Sequence, residues 1–238
     1  MAGENSPFDG GAYGRERCAH GALPRHRHRF GYICVVLKGS FLEAGDAGRF
    51  RVAAGDVLVH RPFEAHLDRF APAGADVLNL PLPAELRGAG RFAVQDLDGV
   101  ARMAERDVGQ AARAAAAGWT AADGEGDWPD LLARDLGGGR RLCLARWAAA
   151  HGLAPETLSR GFRKAYGTTP ARFGAELRAR RAWERVRGSD RLLVDLALEE
   201  GFADQAHMTR AVSALTGAPP TSWRGRVKTL QDREGGAL

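Results

Sequence analysis

The sequence predicts a two-domain chain: an all-β front half built as a small barrel or jelly roll, a linking helix, and an all-α back half carrying a helix-turn-helix motif twice. Three observations predict it. Short β-branched runs separated by turn residues fill the stretch from about residue 15 to residue 90. Beyond it, apolar residues recur three and four apart. The back half, finally, lies over itself at an offset of about 50 residues. A length of 238 residues with 45% apolar and 26% charged residues suits two compact domains and excludes fibrous or wholly disordered classes.

Residues 1–14 are polar and Gly-rich and read as a frayed arm. Gly31 to Leu37 is a β-branched run closed by Lys38, Gly39 and Ser40; Ser40–Glu43 and Gly48–Val52 follow with alternation. The Ala54-Gly55-Asp56 turn leads into Val57–His60, which Pro62 closes, and Asp76–Leu80 is a further strand before Pro81 and Pro83. From Leu97 the period changes. Leu97, Val100, Ala101, Ala104, Val108, Ala111, Ala112 and Ala115 predict one helix over 97–117, within a linking segment 95–120. Its stripe of small residues either packs on the barrel or pairs with its twin in a homodimer. Gly118 ends it, and Asp123–Asp127 reads as the interdomain linker.

The back domain, 128–230, is helical in pieces: about 128–136, 141–150, 155–166, 171–187, 192–199, 204–216 and 220–227. Pro155-Glu156, Thr169-Pro170 and Ser189-Asp190 signal starts, and glycines 152, 167, 188, 201 and 217 mark ends. At an offset of 50, Leu158-Ser159-Arg160 falls over Met208-Thr209-Arg210, Gly167 over Gly217, Pro170 over Pro220 and Phe173 over Trp223; at 49, Ala148 falls over Ala197 and Gly152 over Gly201. Each unit is a short helix, a Gly turn and a second helix with apolar residues four apart (Leu158 and Phe162; Met208 and Val212). That is a helix-turn-helix written twice.

Charge agrees with this placement. Residues 1–126 carry 15 basic and 16 acidic residues, whereas 127–238 carry 19 and 13, and between Arg140 and Arg191 there are 13 basic residues against four acidic. Such a field suits a polyanion. Double-stranded DNA is the expected partner, with the two second helices entering successive major grooves, and the Arg-rich helix from Ala171 to Arg187 acts as a spacer of about 25 Å. Off the apolar faces lie Glu156, Ser159, Arg160, Arg163 and Lys164 on the first recognition helix and Gln205, Ala206, His207 and Arg210 on the second. Arg160 and Arg210 suit guanine edges and Gln205 adenine, whereas Arg163 and Lys164 suit phosphates.

Residues 128–227 resemble the DNA-binding domain of the AraC/XylS family of bacterial transcription regulators. The resemblance rests on Leu144–Gly152, Pro155–Lys164, Tyr166–Pro170, Gly201–Arg210 and Thr216–Pro220. It implies that Glu156, Ser159 and Arg160, and Gln205, Ala206, His207 and Arg210, face the major groove. Val212, Ser213 and Ala214 depart from the family's Phe followed by basic residues, implying a weaker phosphate grip by the second unit.

In the front half, His26 and His28 form an HxH pair that a strand would point to one face. His60 and His66 follow the Gly55-Asp56 turn. Neutral imidazoles suit zinc, iron or nickel. The arrangement resembles the two cupin motifs, and a cupin-like barrel is what many family members carry in front. That resemblance implies a metal at His26, His28 and His66, with Tyr32 standing near the position of the cupin Glu. The same histidines, His60 included, equally suit the lining of a small-molecule effector pocket or a structural role. Arg25, Arg27 and Arg29 could attract an anionic effector or face solvent.

Cys18, Cys34 and Cys143 form no CxxC and are odd in number, so no disulfide framework is expected. No stretch of 18 apolar residues and no positively charged start followed by an apolar run exists, so neither secretion nor a membrane span is expected and the cytoplasm is the expected compartment. The reading is a non-enzymatic transcription regulator, probed by a small molecule or a metal in its barrel, working as a homodimer and touching RNA polymerase if it activates. Two alternatives stand beside it: a cupin-type metal enzyme with an accessory DNA-binding domain, and a regulator whose barrel only dimerises.

Overall fold

The computed structural model describes residues 13–86, 88–117, 120–121, 126–139 and 142–224. Most of the expected N-terminal arm, Gly118, linker residues 123–125 and residues 225–227 of the last expected helix lie outside the described residues. Contacts divide the chain into two units, residues 1–131 with 160–168, and residues 132–159 with 169–238.

The first unit is an antiparallel sheet of eight strands: β1 (Gly14–Cys18), β2 (Gly21–Arg27), β3 (Tyr32–Gly45), β4 (Gly48–Ala53), β5 (Asp56–His60), β6 (Ala65–Pro81), β7 (Gly90–Ala93) and β8 (Thr120–Ala121). The path runs β1-β6-β3-β5-β7-β8, with β2 on β6 and β4 on β3. Two long strands organise it. The first half of β3 pairs with β5 and with the end of β6, while its second half pairs with β4 and the start of β6. Lys38-Gly39-Ser40 is therefore a register shift inside one strand rather than the end of one. Gly39 has φ +77, and a Cβ there would stand 2.1 Å from the Gly74 carbonyl oxygen, so only glycine fits the bend.

Alternation along β3 explains its unbroken apolar run. Tyr32, Cys34 and Val36 face one core with Phe41, Phe50 and Phe70, while Ile33 and Val35 face a second core with Val57, Val59, Leu78 and Leu80. Covering that second face are α1 (Leu97–Ala104) and α2 (Val108–Ala116). The expected single helix over 97–117 is thus two, because Asp107 caps a new start: at φ −152 its carboxylate accepts from the N–H groups of Gly109 and Gln110 at 2.8 and 2.9 Å. Val100, Ala111, Ala112 and Ala115 are buried in the core with the sheet. The small-residue stripe packs on the sheet and leaves no such face for a twin.

Among the described residues, α3 (Trp128–Gly137), α4 (Leu144–Ala150), α5 (Pro155–Tyr166), α6 (Pro170–Arg187), α7 (Leu193–Glu199) and α8 (Gln205–Thr216) follow, then a 3-10 turn at Pro220–Ser222. The expected helices are all found, the last one as that single turn within the described residues. In the second unit α6 is the spine. Thr169 caps it, Pro170 opens it, and Phe173, Leu177, Ala182, Trp183 and Val186 are buried along it. It packs against α7 and α8, whose buried residues are Leu196, Ala197, Met208, Val212 and Leu215. Trp223 closes this core, meeting the Trp183 ring edge-on at 5.7 Å and donating its indole N–H to Thr216 Oγ1 at 3.0 Å. Each fully buried side chain of this size contributes about 1.5–3 kcal/mol. Among the described residues, no helix is long and apolar enough to cross a membrane.

Candidate nucleic-acid interface and interior histidine cluster

The duplication read from the sequence reappears in backbone geometry. After α4, Gly152 has φ +65, the Gly152 N–H bonds the Ala149 carbonyl at 3.2 Å and the Leu153 N–H the Ala148 carbonyl at 2.9 Å. After α7, Gly201 has φ +75, its N–H bonds Leu198 at 3.0 Å and the Phe202 N–H bonds Ala197 at 2.8 Å. Both helices stop by the same left-handed cap, which turns the chain into the next helix. Any Cβ at Gly152 would meet open space, so its only penalty is the left-handed backbone. Gly152→Ala is therefore expected to cost about 1–2 kcal/mol, read as a lower urea midpoint at unchanged slope.

Pro155 at the first position starts α5, and Leu158, Phe162, Ala165 and Tyr166 are its buried face. Asp204 caps α8, accepting the His207 backbone N–H at 2.6 Å. What these faces leave outward matches the sequence expectation residue by residue. Glu156, Ser159, Arg160, Arg163 and Lys164 are exposed on α5, and Gln205, Ala206, His207 and Arg210 on α8. The His207 ring stands edge-on to Phe202 at 5.2 Å, which fixes its aim.

The spacer arginines behave differently. Arg172 pairs with Glu176 at 2.9 Å, Arg180 with Glu184 at 3.3 Å, Arg181 with Glu200 at 3.2 Å, and Arg185 with Glu199 at 2.6 Å. Arg191 also reaches Glu199, at 2.5 Å, and Arg187 lies over the Trp183 ring at 4.7 Å. Glu199 and Glu200, just past the basic window of the sequence, draw Arg181, Arg185 and Arg191 into the unit's own framework. By contrast Arg160, Arg163, Lys164 and Arg210 make no side-chain hydrogen bond or ion pair among the described residues. Cationic groups free for phosphates and bases are thus concentrated on α5 and α8 rather than on α6.

Inside the sheet domain, cross-strand register gathers the histidines. His26 lies opposite His66 and Tyr32 opposite His60. Ring centroids are 4.4 Å apart for His26–His66, 4.9 Å for His26–His28, 5.3 Å for His28–His66 and 4.5 Å for His60–His66. All four expected histidines therefore line one cavity, of about 50 Å³. His26 Nδ1 stands 2.8 Å from the Pro24 carbonyl, a contact that leaves Nε2 for the interior. Arg25 is tied to Asp46 at 2.7 Å and is not offered to an anionic effector.

Two carboxylates that sequence reasoning missed line the same cavity. Glu43 and Asp68 sit directly opposite each other on β3 and β6, both buried. Burial pushes the Asp68 carboxyl up to about 7 and that of Glu43 well above its usual range, with Asp68 adding to the latter. Burial likewise holds the imidazoles neutral: His60 falls to about 3 and His28 to about 4, with neighbouring histidines adding to both, and His26 and His66 are lowered too. Neutral imidazoles with open lone pairs are the form that ligates metals. The only sequence hint of the carboxylates was two acidic residues inside otherwise buried strands.

A family profile described as a helix-turn-helix domain matches residues 147–226. No curated protein matches the sequence. Among solved structures, the chain is similar to a transcriptional regulator with an AraC-type DNA-binding domain from Chromobacterium violaceum (21% identity, 39% of this chain and 84% of that one, TM-score 0.36). It is also similar to a probable AraC family regulator from Rhodopseudomonas palustris (18%, 40% and 88%, TM-score 0.35). Over more of its length it is similar to ToxT from Vibrio cholerae (6%, 88% and 95%, TM-score 0.39). Residues 147–226 thus match a helix-turn-helix domain, and an antiparallel sheet domain precedes them in the chain.

Proposed function

We propose that this chain is a sequence-specific transcription regulator in which α5 and α8 read successive major grooves of duplex DNA and the front sheet domain modulates that reading. One observation carries it: two helices following identical Gly-capped turns expose cations that have no intramolecular partner among the described residues, Arg160, Arg163, Lys164 and Arg210, with Gln205 and His207 beside them. α6, at 18 residues, spans about 27 Å, within reach of the groove repeat of about 34 Å. Partners that go with this reading are duplex DNA, a second copy of the chain and, where the outcome is activation, RNA polymerase. The second copy has to use a surface other than the α2 alanine stripe.

Modulation is assigned to the cavity lined by His26, His28, His60 and His66, with a small molecule or a divalent zinc, iron or nickel ion as its occupant. Size separates these. A cavity of about 50 Å³ holds one or two waters, each filling about 30 Å³, whereas organic-ligand pockets run to roughly 300–1,000 Å³. An ion with its water fits; an organic effector or a cupin-type organic substrate needs the strands to part.

The salt dependence of binding tests the DNA reading. With two to four phosphates neutralised by side chains such as Arg163 and Lys164, affinity for random-sequence duplex should fall roughly 10–150-fold between about 50 and 200 mM salt. A flat dependence over that range contradicts it.

A further inference from the structure

We propose that Glu43, His60 and His66 together hold one divalent first-row transition ion inside the front sheet domain. This deepens the sensor reading above and rests on it for its regulatory meaning, but the site is argued from its own residues. Glu43 and His60 lie outside the pattern that the cupin resemblance implied, which named His26, His28 and His66.

Three strands bring the donors together: Glu43 from β3, His60 from the end of β5 and His66 from β6. One ligand atom from each lies within 4.8 Å of the other two, and all three residues are buried. One pair in the set also has the spacing of two ligands on a single ion. Glu43 Oε2 and His60 Nε2 stand 3.3 Å apart, yet His60 Nε2 has no hydrogen-bond partner. Two donors each about 2.0–2.1 Å from one tetrahedral ion are separated by about 3.3 Å. His66 Nδ1 and Asp68 Oδ1 are likewise buried without a hydrogen-bond partner. Buried polar atoms are rarely left so unless something else satisfies them.

Charge favours this donor set over the three-histidine one. Neutral imidazoles alone would leave a buried dication without an anionic ligand, a costly arrangement. Glu43 supplies one, and Asp68, opposite it in the register, supplies a second negative group beside the site. Two carboxylates facing each other across a strand pair repel when ionised, and a cation between them removes that repulsion. Two nitrogens and one oxygen suit zinc, cobalt, nickel or iron(II), not the all-oxygen preference of calcium and magnesium. A cavity of about 50 Å³ accommodates such an ion with one water.

The test is titration of the chelator-stripped full chain with Co²⁺, followed by its visible bands, with Zn²⁺ as competitor. One Co²⁺ per chain is expected. Glu43→Gln and His60→Asn should each weaken binding at least about tenfold, and His26→Asn should leave it within about threefold. Glu43→Gln keeps shape and a neutral side chain, so thermal unfolding of the metal-free variant should match the parent and separate lost ligation from lost fold. A loss in His26→Asn with none in Glu43→Gln places the ion on the three-histidine set and overturns this assignment, while a metal effector survives. Absence of both Co²⁺ and Zn²⁺ binding overturns either metal reading. Neither result bears on DNA recognition, which salt dependence and sequence selection decide separately.

Discussion

Replacing Arg160 and Arg210 together with Ala should weaken binding to the cognate duplex by roughly 2–6 kcal/mol, the sum of about 1–3 kcal/mol for each guanine-reading arginine acting independently. Stability should not change. Both side chains are exposed and lack intramolecular partners among the described residues, and surface substitutions of that kind stay within about 0.5 kcal/mol. Base preference should relax position by position: Arg160→Ala in the block read by α5, Arg210→Ala in that read by α8. Competition binding across a panel of single-base operator variants checks this. If both variants lose affinity equally for every member of the panel, the arginines hold phosphates and the assignment to bases is wrong. Exchanging Arg181 for Ala offers the contrast. Its guanidinium is engaged by Glu200 at 3.2 Å, so stability rather than base preference should respond.

Phe162→Ala should destabilise the fold by about 3–5 kcal/mol, a large share of a typical domain's stability. Phe162 is fully buried and its ring stacks on Tyr166 at 4.8 Å; Tyr166 in turn donates its hydroxyl to Asp130 Oδ1 at 2.8 Å. Removing the ring opens a void under α5 and loosens the helix that carries Arg160. The equivalent position one repeat later is Val212, also fully buried, where truncation removes less volume and should cost less. Urea unfolding of the two alanine variants measures the difference. Equal losses would mean that the two recognition helices are packed alike despite their different side chains.

How much was legible follows from where the determining contacts lie. The back half was read nearly to the residue because its signals are local: Pro155 and Pro170 at helix starts, left-handed glycines at 152 and 201, and apolar residues four apart. The front half was harder. β2 is mostly exposed and contains Pro24, and the first part of β6 places His66 and Asp68 where a strand pattern calls for apolar residues. Their inward-facing side chains line a polar cavity, so alternation of hydrophobic and polar residues could not reveal them. The four histidines were identifiable by type and spacing. Glu43 was not, because its partnership with His60 and Asp68 depends on strand register across residues far apart in sequence. Asp107, an Asp before a helical run, was a local cap signal strong enough to have split the expected linking helix.

A window of 13 basic residues against four acidic ones implies a broad cationic face, yet Glu199 and Glu200 lie just beyond it and engage Arg181, Arg185 and Arg191. Among the described residues, the two helices that follow the turns keep Arg160, Arg163, Lys164 and Arg210 without such partners. Recognition is thereby confined to positions where side chains can reach a groove.

Selection of bound sequences from random duplex DNA tests the central claim most directly. Two recognition helices reading successive grooves should enrich a bipartite site whose blocks are centred roughly 10–10.5 base pairs apart, one block lost with Arg160→Ala and the other with Arg210→Ala. Recovery of no enriched sequence, or of a single block insensitive to one of the two substitutions, would contradict it.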